Sequence, residues 1–504
     1  MDMKILEKIS DINKTIKKLK KTNKKIIMCH GVFDVLHLGH IKHFEEAKSL
    51  GDVLIVSVTS NQYVNKGFDR PYFDLKVRMK ALSALEAVDF VIPSNNPTAI
   101  QNLNIIKPSF YSKGPDYISK PDITQNLSKE KKILKKFKGK VYFTKGAQYS
   151  SSSLINSFET TFDEKQRIFL KKLKLKYSYS SIESLINKIS KLKVNVLGEI
   201  ILDQYIFCEP IGISGKDPFL VFKENEKNKF GGGSFAIAKN TSFFCKKTNL
   251  ISHLSKKFEK FFVSKLSDNF QLKCVSDESF DGIIKTRYVD SNTNSKIFGL
   301  YNVSDNKINL SIEKKIKNIL LKLKNVNNNL IISDYGHGLI NNNLAKFISN
   351  KKFKYTFNAQ INSANRGYHG LFKYKNPFSV IINESELRYE FKDKFTSIEK
   401  LILKLEKLLG AKNLVVTKGS EGAITYNNKD GFIHCPAFNQ KTLDKVGAGD
   451  ALLAIFSLCK FVGADNDISI FIASLSAANQ TRVLNNKTFL KRNDLLKMVS
   501  HILK

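Results

Sequence analysis

The sequence predicts two consecutive α/β domains, the first built on a parallel sheet in a doubly wound arrangement. Three observations lead there. The chain has 504 residues, more than one hydrophobic core ordinarily serves. A strand-like apolar run closing on a glycine occurs twice, at Lys25–Gly31 (KIIMCHG) and Val194–Glu199 (VNVLGE). After each of these, short apolar runs alternate with helix-period stretches, the signature of strand–helix–strand units.

Taken in order, Met1 to Leu19 sets Ile5, Ile9, Ile12, Ile16 and Leu19 at helical spacing among lysines, which predicts an amphipathic helix lying on the domain. Strands are then expected at Lys25–Gly31, Val53–Val58 and Val88–Ile92, with helices around His40–Leu50 and Leu75–Leu85. Asp163 to Lys193 is lysine-rich, with Ile182, Leu185, Ile186 and Ile189 in helical register, and the junction is expected near residues 160 to 180. The expected domains are 1–165 and 180–504. In the second, Leu330–Ile332, Val380–Ile382 and Leu414–Val416 have strand character.

Composition narrows the function classes. With 42% hydrophobic and 25% charged residues the chain reads as soluble and globular. No run of about 18 apolar residues is present, and the N-terminus lacks a secretory pattern. Six cysteines are scattered without a CxxC pair, which points to reduced thiols and a cytoplasmic setting. The formal charge of +36 would suit nucleic acid. The lysines are spread along the whole chain, however, as AT-rich codon usage would produce, and are not interleaved with aromatics. Neither nucleic acid nor membrane is expected as a partner. The positive field instead favours small phosphorylated ligands.

The first chemical motif is GVFDVLHLGH, Gly31 to His40, placed where a strand exits into a helix. A helix N-terminus offers unpaired amides and a positive dipole end to a nucleotide phosphate. His37 and His40, one turn apart, can donate to phosphate oxygens as charge builds on phosphorus. Gly39 leaves room for the nucleotide, and Phe33 lies in the same segment.

This segment resembles the cytidylyltransferase-like nucleotidyltransferases, whose core is Rossmann-like. More narrowly, it resembles the transferase half of the bifunctional heptose-phosphate kinase/heptose-1-phosphate adenylyltransferases. Further matches are LGDVLIVSVTSN (Leu50–Asn61), KGFDRP (Lys66–Pro71), Arg78 with LEAVD (Leu85–Asp89), and SKGPDY (Ser112–Tyr117). The resemblance implies that His37 and His40 stabilise the transition state at the α-phosphorus, that Lys113 contacts phosphate, and that Asp34 assists nucleotide or metal placement. YSSSSLI (Tyr149–Ile155) resembles the family's ISTTxLI element, which implies nucleotide contacts from Ser150, Ser151 and Ser152; a serine-rich helix cap is the competing reading.

The second motif is TLDKVGAGDA, Thr442 to Ala451. Small residues Gly447 and Gly449 before a helix-like run can present amides to a transferred phosphoryl group, and Asp450 is placed to take the proton of an attacking hydroxyl. The accompanying segments resemble the ribokinase-like carbohydrate kinases: LGEIILDQY (Leu197–Tyr205), ISGKDP (Ile213–Pro218), GGGSFAIAKN (Gly231–Asn240), KTRY (Lys285–Tyr288), SDYGHG (Ser333–Gly338), NESE (Asn383–Glu386) and VVTKGSEG (Val415–Gly422). The resemblance implies that Asp203, Gly232, Gly233 and Arg287 hold the sugar. It also implies that Asn383 and Glu386 organise Mg²⁺ through water, and that Thr417 and Gly419 line the ATP site.

Three departures stand out. The family's opening Gly-Asp is Gly198-Glu199; the sugar-ligand asparagine falls on Ala236; and a heptose kinase's Asp-Pro-Lys-Gly is replaced by Asn358-Ala359-Gln360-Ile361, followed by NSANRGYHG (Asn362–Gly370). The resemblance also implies a domain order reversed from the commoner heptose enzyme. The expectation is a homo-oligomeric, ATP- and Mg²⁺-dependent enzyme acting on sugar phosphates and nucleotides. It would phosphorylate heptose 7-phosphate and transfer AMP to a sugar 1-phosphate, giving ADP-heptose for lipopolysaccharide or another surface glycan. Two alternatives stay open: a cytidylyltransferase/kinase for another sugar or polyol, and a non-catalytic sugar or nucleotide sensor.

Overall fold

The computed structural model describes residues 4–64, 70–114, 126–145, 162–303, 307–362, 365, 367, 369–438, 442, 444–482 and 488–503. It divides into two compact units, Met1–Asp163 with Asn493–Lys504, and Glu164–Arg492. The helices Glu164–Lys176 and Tyr179–Ile189, which span the expected junction, therefore go with the second unit. The reason is packing: Phe169 meets Phe438 and Phe471, Gln166 donates to the Ala437 carbonyl, and Lys176 pairs with Asp465 and Asp467.

The first unit carries strands β1 (Ile26–Gly31), β2 (Val53–Thr59), β3 (Phe90–Ser94), β4 (Phe110–Lys113) and β5 (Lys140–Phe143). All pairs are parallel, in the order β3-β2-β1-β4-β5. The period-2 alternation of β1 explains the double winding. Ile26 and Met28 join one core with Ile12, Ile16 and Leu103, while Ile27 and Cys29 join the other with Phe44, Leu54 and Leu82. Of the N-terminal helix's apolar stripe, Ile12 and Ile16 are buried but Ile9 stays 57% exposed. The order reverses direction at β1 and β4, so their carboxyl ends open the crevice where such sheets bind ligands.

The second unit carries β6 (Lys193–Gly198), β7 (Ile200–Ile213), β8 (Leu220–Gly233), β9 (Lys247–Ile251), β10 (His253–Ser255), β11 (Phe270–Leu272), β12 (Val275–Asp277), β13 (Ile283–Asp290) and β14 (Lys296–Asn302). It continues with β15 (Asn329–Asp334), β16 (Lys354–Ala359), β17 (Ser379–Asn383), β18 (Asn413–Thr417), β19 (Ala423–Asn427) and β20 (Gly431–Cys435). Nine strands form the main sheet, β11-β9-β6-β15-β16-β17-β18-β19-β20, parallel as far as β18 and antiparallel beyond it. Four others form a smaller sheet, β14-β13-β7-β8. Its long hairpin pairs Ile200 with Gly233 at the base and Ile213 with Leu220 at the tip, while β14 is exposed along its length. Among the described residues no helix is long and apolar enough to cross a membrane.

Candidate functional site

In the first unit the chain leaves β1 through Phe33, held at a left-handed φ of 49°, and enters the helix Leu38–Lys48 with His37 as its N-cap residue. The His40 amide donates to the His37 carbonyl at 2.8 Å, so the two imidazoles stack with centroids 3.9 Å apart. Phe33 sets its edge against His40. A Cβ on Gly31 would lie 2.8 Å from the Phe33 ring, so that glycine is what lets Phe33 fold back toward His40. Gly39 lies in the helix's first turn, between them.

Two further residues, one of them assigned a different task by sequence, fix this turn. Arg78 is buried and donates to the carbonyls of Val32 (2.7 Å), Thr59 (2.9 Å) and Phe73 (2.8 Å) and to Asn61 Oδ1 (2.6 Å), tying the exit of β1 to that of β2. Asp34 accepts from the amides of Tyr72 (2.8 Å) and Phe73 (3.0 Å) and pairs with Arg70 (3.3 Å). Its oxygens therefore shape the 70–73 loop. Lys113, at the end of β4, is buried with Nζ 3.3 Å from Glu130. Burial pushes His30 down to about 3 and His43 down to about 4, and the Lys113 charge acts in the same direction on both. Both imidazoles are thus neutral at working pH, with Nδ1 meeting Ser57 (3.0 Å) and Thr144 (2.9 Å) respectively. Ser150, Ser151 and Ser152 lie outside the described residues, as do Lys66–Asp69 and Pro115–Tyr117.

In the second unit, Asp203 on β7 stands in register with Lys285 on the neighbouring parallel β13. Side chains two apart share a face, so Lys285 and Arg287 lie on the same side, and Arg287 forms an ion pair with Asp203. Gly232 lies against this pair: a Cβ there would sit 1.8 Å from Asp203 Oδ2. Gly233, at φ 60°, starts the helix Ser234–Ser242, on which Ala236 is fully buried.

Asp450 lies in the first turn of the helix Ala448–Phe461, behind Gly447 at φ 83°. Burial pushes its carboxyl up to about 6; the Tyr335 hydroxyl, donating to Oδ1 at 2.8 Å, and Lys285 oppose that, while Asp203 adds to it. A Cβ on Gly449 would enter open space, which leaves this helix head accessible. The sequence did not single out Tyr335, Lys285 or Glu199 as site residues. Glu199 accepts from the amides of Tyr335 (3.0 Å) and His337 (3.2 Å), and burial beside Asp334 pushes it up to about 7. The longer carboxylate that departs from the family's Asp is thus a staple for the SDYGHG turn.

Asn383 and Thr417 end adjacent strands in register, and Gly419 follows in a turn at φ 59°. Asn383 and Glu386 form a capping box on the helix Glu384–Phe391. The Glu386 oxygens accept from the amides of Asn383 (3.1 Å) and Ile361 (3.2 Å), and burial pushes its carboxyl up to about 7. Among the described residues no group of three or more His, Cys, Asp or Glu could hold a metal ion. The donors among the described residues do not make a protein cage for Mg²⁺.

Residues 28–182 match the cytidylyltransferase-like family and residues 191–487 the pfkB family of carbohydrate kinases. The chain is 40% identical over 132 residues to the bifunctional protein HldE of Sulfurimonas denitrificans, a match covering 26% of this chain and 28% of that one. It is 33% identical over 159 residues to HldE of Helicobacter pylori strain J99, covering 31% and 32%. The chain thus spans less than a third of the length of these relatives. The matched stretches do not establish a reversed domain order, and that expectation is dropped. Phosphofructokinase-2 of Escherichia coli in complex with potassium superposes with a TM-score of 0.51 at 15% identity, covering 62% of this chain and all of that one, a likeness of fold. With the kinase match extending over more than half of its residues, the chain belongs to the pfkB family of carbohydrate kinases.

Proposed function

We propose that the protein is a bifunctional enzyme of sugar-nucleotide synthesis. The second unit phosphorylates a sugar with ATP, and the first transfers AMP from ATP to a sugar 1-phosphate. The observation that carries the kinase half is Asp450: a half-buried carboxylate at an open helix head, beside Lys285 and the Asp203–Arg287 pair. In this reading Asp203 accepts a sugar hydroxyl and Asp450 takes the proton of the attacking one. The new bond joins that oxygen to the γ-phosphorus as ADP departs, with the amides of Gly447 to Gly449 facing the phosphoryl group. Thr417, Gly419 and Asn383 are assigned to the ATP side. Mg²⁺ supplies charge neutralisation on the triphosphate. Because Glu386 is engaged by two amides, it would meet that ion only through water.

In the first unit, the sugar phosphate's oxygen attacks the α-phosphorus and pyrophosphate leaves. His37 and His40 donate to the phosphate oxygens, and Lys113 adds positive charge behind them. Heptose 7-phosphate, phosphorylated at its anomeric hydroxyl, is the proposed sugar and ADP-heptose the proposed product, feeding a surface glycan from the cytoplasm. A separate phosphatase must then act between the two steps. Self-association is part of this reading, supported by Ile211, Ile213, Phe219, Leu220, Phe298 and Leu300 exposed on the smaller sheet and its hairpin tip. The test is a mass-spectrometric screen of sugar phosphates with ATP and CTP. The expected result is phosphorylation of heptose 7-phosphate and adenylylation of heptose 1-phosphate; turnover of another sugar alone, or CTP use, would replace the substrate assignment.

A further inference from the structure

We propose that Tyr335 is the positioning residue for the base Asp450, and that two of the chain's departures from the kinase pattern, Glu199 and the segment after residue 361, hold Tyr335 in place. The inference rests on the kinase reading above. The Tyr335 hydroxyl donates to Asp450 Oδ1 at 2.8 Å across 115 residues of sequence, which leaves Oδ2 to face a substrate hydroxyl. Burial and the neighbouring Asp450 charge raise the Tyr335 hydroxyl well above its usual range, so it remains a proton donor throughout the working pH.

Tyr335 itself is held from three directions. Its amide donates to Glu199 Oε2 at 3.0 Å. Its carbonyl accepts from Asn362 Nδ2 at 2.9 Å and from Asn365 Nδ2 at 2.8 Å. Those two asparagines are locked to each other, each accepting the other's amide on its side-chain oxygen. Glu199 is the residue that replaces the family's Asp, and Asn362 and Asn365 belong to the segment that follows the replaced Asp-Pro-Lys-Gly stretch. Substitutions that look like decay in the sequence thus converge on one turn, which argues for a rebuilt support rather than a lost one. A carboxylate partly withdrawn from water gains most from one fixed donor, because that donor both sets its rotamer and favours its ionised form.

Three groups face Asp450 from the elements around it: Tyr335 from the turn after β15, Asp203 from β7 and Lys285 from β13. In Tyr335→Phe the ring remains and only the hydroxyl goes, so Lys285 alone is left to oppose burial and Asp203. The Asp450 titration should then move upward by roughly one pH unit. The experiment follows the Asp450 carboxyl by ¹³C NMR in the full chain, identified as the signal missing from Asp450→Asn. It also measures sugar-dependent ADP release against pH. The expected results are an upward-shifted carboxyl titration and a kcat reduced about ten- to a hundredfold, with KM for ATP unchanged. The acid limb of kcat should move upward too, and adding Tyr335→Phe to Asp450→Asn should cause no further loss. Asn362→Ala/Asn365→Ala, which leaves the hydroxyl present but its backbone unheld, should lower kcat in the same direction. An unmoved carboxyl titration, or additive losses in the double variant, would overturn the proposal. The titration needs no substrate, so a carboxyl shifted in Tyr335→Phe, together with a wild-type protein that phosphorylates no sugar, would overturn the kinase reading and with it the catalytic role of the contact.

Discussion

Gly232→Ala puts the sugar pocket to a sharp test, because the structure gives the size of the perturbation. The added Cβ would lie 1.8 Å from Asp203 Oδ2 and 2.9 Å from its Cγ, well inside contact distance, so the carboxylate must swing away or the hairpin base must move. Neither is cheap. The Asp203 side chain is 8% exposed and Arg287 14%, and separating them leaves a guanidinium buried without its counter-ion. Overpacking of this kind costs about 1–3 kcal/mol, and disruption of a buried pair adds to it. A loss of about 2–3 kcal/mol in transition-state binding corresponds to a fall in kcat/KM for the sugar of about 30- to 150-fold. The assay is ADP release at varied sugar phosphate, with pyrophosphate release by the first unit as an internal control, expected unchanged. In Asp203→Ala the obstructing oxygen is gone, so Gly232→Ala should add little to that background. A Gly232→Ala enzyme within twofold of wild type, or one that loses both activities equally, would refute the reasoning.

Other expectations follow from the same geometry. Asp450→Asn should lower sugar phosphorylation by orders of magnitude with ATP affinity little changed, read by single-turnover kinetics and nucleotide titration. Since Asp450 must be ionised to accept a proton and its carboxyl lies at about 6, wild-type kcat/KM should fall as pH drops through that value and level off above it. His40→Ala should abolish pyrophosphate release while sugar phosphorylation persists, the two motifs lying in separate compact units; joint loss in a folded protein would refute this. Arg78→Lys cannot reproduce four hydrogen bonds from one guanidinium, and should destabilise the first unit by about 2–4 kcal/mol while raising KM for the nucleotide, measured by thermal unfolding and adenylyl-transfer kinetics.

How much of this was legible beforehand depends on the range of the signal. The parallel strands announced themselves because a strand buried on both faces is an unbroken apolar run, as in β2 and β15. The smaller sheet did not. Its β8 reads LVFKENEKNKFGGG, charged on both faces because its middle stretch is exposed, and only the pairing with β7 makes it a strand. The amphipathic N-terminal helix was visible, but which isoleucines it buries was not, since Ile9 turns outward while Ile12 and Ile16 meet the sheet. Asn383 and Glu386 carried a signal for their observed form, an N-cap residue with an acid three positions on, which is a capping box on local grounds alone.

By itself the sequence determined the two-unit α/β plan, the strand-to-helix turn at His37–His40 and the glycine-led helix head at Asp450. Each is a local pattern: an apolar run, then a glycine or cap residue, then helical spacing. The tertiary structure alone decided which groups those motifs face. Asp203 meets Arg287 across 84 residues and Gly232 across a hairpin, Asp34 turns to its own loop, and Glu199 reaches the turn that carries Tyr335. Such contacts arise only when distant strands are packed in register. Their energies come from burial and from hydrogen bonds made on closure, neither of which a short window of residues encodes.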